Sequence, residues 1–221
     1  MLTIIIKTLL YGVTSLAILG ASYQFMMNKQ AMIEYPPPGK MVSVGSHRLH
    51  LLSKGEKKLE RDPTVILDSG LGMSCLAWEK VQDQLSESMR VCSYDRAGYG
   101  WSESNPNDEP RTSNVIADEL YTLLKNSGEK GPFVLVGHSF GGFNIRAFAS
   151  KHPEEVHSIV LVDASEEQFI KEIAKTQPYA SGQSKVLNLV SKAMNYLGLQ
   201  RLVSPSVLKK YDSFFSKEGL D

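Results

Sequence analysis

Cysteine is nearly missing from this 221-residue sequence, which holds only Cys75 and Cys92. Two are too few for a disulfide framework, and neither stands in a CxxC or Cys/His run, so no structural zinc site is indicated. Both read as small apolar core residues. An excess of either charge is missing too. Lys plus Arg and Asp plus Glu both number 24, with no long run of one sign, which argues against nucleic acid as a partner. No internal repeat and no long low-complexity tract occurs. A third glycine is missing where Gly70-x-Gly72 would need it for dinucleotide binding, because Cys75 stands there. A nucleotide-binding redox protein is therefore set aside, and neither a cofactor nor a metal is expected.

What is present begins with a long apolar run. From Thr3 to Met27 the only charge is Lys7, and Thr8–Tyr23 is almost wholly apolar or small. A membrane-spanning helix needs about 20 such residues, a length reached here if Lys7 snorkels to the interface. Residues 1–30 read as an uncleaved single-pass membrane anchor. Gly20-Ala21-Ser22 offers an alternative, a signal-peptidase site whose use would leave the rest secreted, although the basic region ahead of it is thin. A buried core helix is disfavoured because the segment has no polar face. Lys7 on one side and Lys29 and Lys40 on the other leave the orientation open. Pro36-Pro37-Pro38-Gly39 reads as a stiff spacer within 31–40.

Beyond the spacer, strands and helices alternate. Met41–Val44 and His47–Leu52 flank Gly45-Ser46 as a hairpin. Thr64–Leu67, Val91–Tyr94, Phe133–Val136 and Val156–Val162 are short apolar strands. Ala77, Val81 and Leu85 recur at helical spacing, as do Ile116, Leu120, Leu123 and Leu124, the latter ended by Asn126-Ser127-Gly128. Phe140 to about Lys151 is helical. Such alternation predicts an α/β fold: a mostly parallel sheet flanked by helices, with an antiparallel edge from the hairpin. From Ser165 the pattern turns helical without strands. Ser165-Glu166-Glu167-Gln168 fits a capping box, and Val186, Val190, Ala193, Met194 and Leu197 form a stripe. The expected division is an incomplete core at 41–165 and the start of a helical cap at 166–221.

The run Phe133 to Gly142 carries the chemistry. It contains Gly137-His138-Ser139-Phe140-Gly141 between an apolar strand and a helix, the context of a nucleophile elbow. There the serine sits on a sharp, strained turn that lifts its hydroxyl above the carboxyl edge of the sheet, beside the positive end of a helix. The competing reading is a glycine-rich turn without catalytic meaning.

Leu67-Asp68-Ser69-Gly70, Ser93-Tyr94-Asp95-Arg96-Ala97-Gly98-Tyr99-Gly100-Trp101-Ser102, Val136–Gly142 and Leu161-Val162-Asp163-Ala164-Ser165 follow in order. Together they resemble bacterial α/β-hydrolase fold-1 proteins, relatives of prolyl iminopeptidases, esterases and non-haem haloperoxidases. The resemblance covers about Val42 to Ser165. It implies Ser139 as nucleophile, with the backbone N–H groups of Leu71 and Phe140 as oxyanion hole, and Asp95 and Arg96 as architectural. Serine rather than aspartate at the elbow favours acyl transfer through an acyl-enzyme. A small-molecule ester, thioester, lactone or amide would be the substrate.

The resemblance also implies two further strands and a histidine after the cap, whereas no histidine follows His157. His138 is expected to pack structurally, His152 and His157 to lie at the far edge of the sheet, and His47 and His50 in the hairpin. Asp163 reads as a strand-end turn residue rather than the acid, so no acid is assigned and no catalytic histidine is found in this chain. The expectation is a serine hydrolase interrupted as written: a fragment, a truncated frame, or a chain completed by a partner. Its rival is a non-catalytic binding or interaction protein on the same scaffold.

Overall fold

The computed structural model describes residues 1–107, 110–168, 171–172 and 181–199. These form two compact units: Met1–Pro36 with residues 181–199, and Pro37 through residue 172.

In the first unit, α1 runs from Leu2 to Glu34. Its stretch Thr3–Glu34 is long and apolar enough to cross a membrane, with a mean hydropathy of 1.8 and no part of the most apolar window buried. The helix continues four residues past the expected limit at residue 30, shortening the spacer. The cause is local: nothing breaks the helix until Pro36, which forces Tyr35 out of the helical region (φ −124°, ψ 72°). A second helix, labelled α5 below, spans Ser181–Tyr196. Of its expected stripe, Met194 and Leu197 are half-buried, Val190 and Ala193 are exposed, and Val186 lies outside the residues whose side chains are described.

The second unit is a sheet of six strands. These are β1 (Lys40–Ser43), β2 (Arg48–Lys54), β3 (Thr64–Asp68), β4 (Val91–Tyr94), β5 (Phe133–His138) and β6 (Val156–Val162), in the order β1-β2-β4-β3-β5-β6. The hairpin β1–β2 is antiparallel, and β2 runs antiparallel to β4. From β4 to β6 all neighbours are parallel. Three helices link the parallel strands: α2 (Glu79–Ser86), α3 (Ser113–Ser127) and α4 (Gly141–Lys151). β3 is buried along its whole length. Strand alternation sends Ile66 and Leu135 to one face, packed with Leu120, Leu123, Ile145 and Phe148 of α3 and α4. Val65, Leu67 and Val91 pack on the other face against Trp78 and Leu85.

α3 ends at the glycine expected to stop it. Thr112 Oγ1 caps it by accepting from the Val115 N–H at 3.4 Å, and Gly128 ends it in the left-handed region at φ 82°. α2 departs from its expected face. Its expected stripe had Val81 facing the core, yet Val81 is 42% exposed and Gln82 is fully buried. The inward face is rotated by one residue because Gln82 serves the sheet. Its Nε2 donates to the Leu52 and Val91 carbonyls at 2.8 and 3.1 Å, and its Oε1 accepts from Ser93 Oγ at 2.7 Å.

β4 and β5 flank β3 on opposite sides, so the loops leaving β3 and β5 diverge where the strand order reverses. Such switch points, at the carboxyl ends of the strands, are where open α/β sheets bind ligands. Asp68 pairs with Gly137, and His138 with Val162, placing the ends of β3, β5 and β6 side by side. β6 has a neighbour on one side only among the described residues, and Ile159, Val160, Leu161 and Val162 are 37–52% exposed.

The rotation of α2 is open to test. Gln82→Ala removes three buried hydrogen bonds, at about 1 kcal/mol each, whereas Val81→Ala stays within about 0.5 kcal/mol of the parent. Urea unfolding of the full chain in mild detergent is expected to separate the two variants in that order. Equal midpoints would return Val81 to the core face.

Candidate functional site

The site is built where β5 meets α4. Ser139 has φ 50°, the left-handed region, which costs a residue with a Cβ on the order of 1 kcal/mol or more. The turn is held by the end of β6. The Ser139 N–H donates to the Val162 carbonyl at 3.3 Å, and the Ser139 carbonyl accepts from the N–H groups of Gly142 and Ser165, both at 3.0 Å. Two glycines are required by space. A Cβ on Gly137 would lie 2.7 Å from the carbonyl carbon and oxygen of Gly141, and one on Gly141 would enter the backbone of Asp68. The sequence spacing thus reflects a backbone packed on itself, with β3 touching the start of α4.

Of the residues read as an oxyanion hole, Leu71 lies in the exposed turn after β3, and Phe140 immediately precedes α4. Neither backbone N–H donates to an acceptor among the described residues. Arg96 links the two neighbourhoods. Its Nη1 donates to Asp68 Oδ1 at 2.5 Å and to the Ser69 carbonyl at 2.6 Å, and its Nη2 donates to the Gly70 carbonyl at 2.5 Å. Its guanidinium also lies 5.6 Å from the centre of the Phe140 ring. Tyr94 Oη donates to the other Asp68 oxygen at 2.8 Å. Burial pushes the Asp68 carboxyl above its ordinary value, and Arg96 and Tyr94 pull it back down. Burial likewise drives the Tyr94 phenol well upward.

The histidines are spread across the fold. The His138 ring packs over Gly70, where a Cβ would lie 3.0 Å from its Nδ1, and edge-on to Trp78 at 6.4 Å. His152 stacks on Tyr121 with ring centres 3.8 Å apart. His157 lies near the start of β6 and His47 just before β2. At Ser139 Oγ the partner is instead Ser165 Oγ, 3.4 Å away. Ser165 was legible as the start of a capping box and the end of a run shared with the family; no sequence signal brings it to the nucleophile, because the contact depends on β6 lying beside β5. Asp163, at the end of β6, is the other non-glycine residue with positive φ, 42°, among the described residues, and it is exposed.

A second constellation escaped the sequence reading. Cys75, which stands in no Cys/His run along the chain, comes within reach of His50 and Asp95, all three buried. The fold assembles them from a strand, a loop and a turn. Asp95 accepts at Oδ1 from the Cys75 N–H at 2.7 Å, and at Oδ2 from His50 Nδ1 at 2.9 Å and the Trp101 N–H at 3.1 Å. His50 Nε2 accepts from the Gly39 N–H at 3.1 Å. Nδ1 therefore carries the imidazole proton and donates it to Asp95. A metal at Nδ1 would move that proton to Nε2, against the Gly39 N–H, so the donor set suits a structural hydrogen-bond cluster better than a cation. Burial also pushes the Cys75 thiol up to about 12, as it does that of Cys92, and neither thiol is poised as a nucleophile.

Comparison with known proteins adds the following. Residues 63–196 match the family model of the alpha/beta hydrolase fold. The "Probable transporter efuK" of Hormonema carpetanum is 35% identical over 129 residues, 58% of this chain and 18% of that protein. A vacuolar membrane protein of Saccharomyces cerevisiae is 33% identical over 115 residues, 50% of this chain and 18% of its own length. Among solved structures, the meta-cleavage product hydrolase of Pseudomonas fluorescens IP01 superposes with a TM-score of 0.50 at 26% identity, covering 57% of this chain and 45% of that one. The chain thus spans less than half the length of these relatives.

The Asp95 cluster predicts a pH dependence. Burial alone would raise the Asp95 carboxyl, but hydrogen bonds from His50, Cys75 and Trp101 outweigh it and leave the group below its ordinary value. A carboxylate depressed in the folded state stabilises fully above its unfolded value of about 3.9 and loses that contribution as pH falls toward the folded value. The stability gap between the parent and Asp95→Asn is therefore expected to be widest near neutrality and to narrow below about pH 4. Urea midpoints of both proteins at the two pH values measure it, and an unchanged gap would refute the assignment.

Proposed function

This chain belongs to the alpha/beta hydrolase fold family, and within it we propose a serine hydrolase that works through an acyl-enzyme on a small ester, thioester, lactone or amide. The observation that carries the proposal is the strained elbow at Ser139, clamped by β6 at the head of α4. In the proposed reaction Ser139 Oγ attacks the substrate carbonyl carbon while a general base takes its proton. The oxyanion receives hydrogen bonds from the N–H groups of Leu71 and Phe140, and collapse expels the leaving group, which takes up a proton. Water then attacks the acyl-enzyme, releasing the acid and restoring the serine. One oxyanion donor typically contributes about 3 kcal/mol to such a step. Arg96 supports the geometry by gripping the Ser69 and Gly70 carbonyls, which lead into Leu71. Residues 166–221 are read as the start of a helical cap.

A second reading, a non-catalytic binding protein on the same scaffold, is favoured by one observation: the partner of Ser139 Oγ among the described residues is Ser165, not a histidine. The acyl-enzyme reading needs a base that the described residues do not bring to Ser139.

The proposal includes a membrane anchor. It draws on the uninterrupted apolar face of α1 and on the membrane protein among the relatives.

Two measurements test these readings. A fluorophosphonate probe is expected to label the full chain and to lose Ser139→Ala entirely; equal labelling of both would displace Ser139 as nucleophile, and labelling of neither would favour the binding protein. Expressed whole, the chain is expected to stay with membranes through carbonate extraction and to be released when residues 1–30 are deleted. Recovery of the intact chain in the soluble fraction would remove the anchor.

A further inference from the structure

We infer that the C-terminal end of α5 is a second membrane contact, seated at hydrocarbon depth beside α1. The inference rests on the anchor reading of α1, and its geometry lies wholly within one compact unit of the chain. Gly20 of α1 makes the close approach possible: a Cβ there would meet the Leu197 carbonyl oxygen at 2.7 Å. One turn further along α1, Gln24 Nε2 donates to Asn195 Oδ1 at 3.4 Å. The Tyr23 ring borders Gly198, which turns the chain at φ 70° as α5 ends. Around this junction Val13, Leu16 and Tyr23 of α1 line, with Leu197 and Leu199, an apolar cleft of about 550 Å³.

Depth follows from α1. At 1.5 Å per residue, Val13 to Tyr23 covers roughly 15 Å, about half of a hydrocarbon core of about 30 Å. Every residue from Val13 to Tyr23 is uncharged, and the polar boundary comes next, at Gln24, Asn28 and Lys29. A segment packed along that stretch shares its depth. The hydrogen bond from Gln24 to Asn195 therefore marks the level at which α5 meets the interface, and Leu197 and Leu199 fall on the lipid side of it. The surface left uncovered agrees. Tyr196 and Leu199 are 75% and 40% exposed beside a helix that itself buries none of its most apolar window in protein. Tyrosine at the interface and leucine below it is the arrangement a bilayer favours, and lipid would take that apolar area out of water. The occupant of the cleft and of this uncovered face is thus the acyl-chain region of the bilayer. The segment read as the beginning of a cap would be tethered at the membrane by its own tip as well as through α1.

The test uses the full chain in phosphatidylcholine vesicles, with an environment-sensitive nitrobenzoxadiazole probe on single introduced cysteines. Cys75 and Cys92 are buried with thiols near 12, so they stay unlabelled. Probes at Leu16→Cys, reporting α1, and at Leu199→Cys, reporting the tip of α5, are both expected to emit blue-shifted light and to be quenched by spin-labelled lipid but not by aqueous iodide. A probe at 16 in lipid with one at 199 quenched by iodide would overturn the inference while leaving the anchor standing. Quenching of both by iodide would remove the anchor and the inference with it. A probe at 199 shielded from both quenchers would mean a protein cover and would also overturn it. Gly20→Leu, which fills the contact, is expected to abolish lipid quenching at 199 and to preserve it at 16; unaltered quenching at 199 would refute docking on α1.

Discussion

A buried guanidinium holds the loops at the carboxyl end of the sheet together. Arg96 and Asp68 are 4% and 0% exposed, so each charge has been taken out of water and must be compensated within the protein. Arg96 places two donors on three oxygens: the Asp68 carboxylate and the carbonyls of Ser69 and Gly70. Leaving such a charge without its partner typically costs about 3–5 kcal/mol. The turn after β4 and the start of the loop after β3 are therefore a single mechanical piece, from which the chain leads on to Leu71. Asp95, one residue before, ties the same turn to β2 and to the loop holding Cys75. The Asp95-Arg96 pair is architectural, and its architecture is that of the proposed oxyanion site.

The elbow depends on this frame. Ser139 is held at a positive φ by three backbone hydrogen bonds, two of which reach the end of β6 and Ser165. Gly141 is appressed to Asp68, so the start of α4 leans on the residue that Arg96 fixes. Strain at the serine and the buried ion pair are two ends of one packed contact. Close packing transmits such constraints because a dense interior has no room to absorb them.

On the anchor reading, the first unit answers to a different solvent. α1 has apolar side chains on all sides and buries none of its most apolar window, whereas α3 buries one stripe and exposes the other face. The difference is what water and lipid each demand of a helix. Where α1 is approached by another part of its own unit, glycine stands at the contact and a polar pair closes it at the polar end of the apolar stretch.

Local pattern accounts for what could be read without coordinates. Val91–Tyr94 and Val156–Val162 are strands with the limits expected of them, because a short apolar run between turn signals has few other ways to satisfy its backbone. The end of α3 was legible in Asn126-Ser127-Gly128, and the elbow in two glycines flanking a serine. Each of these is decided within a few residues, where sterics and backbone hydrogen bonding act. Gln82, Ser165 and the His50–Cys75–Asp95 cluster were not legible. Gln82 is buried because carbonyls of two strands lie beneath it; Ser165 meets Ser139 because β6 pairs with β5; and His50 reaches Asp95 across 45 positions of sequence because β2 runs antiparallel beside β4. The residues themselves determined strand, turn and helix. Only the order of strands in the sheet decided which polar groups would be shut away from water together, since a buried polar group takes its partner from whatever the topology places beside it.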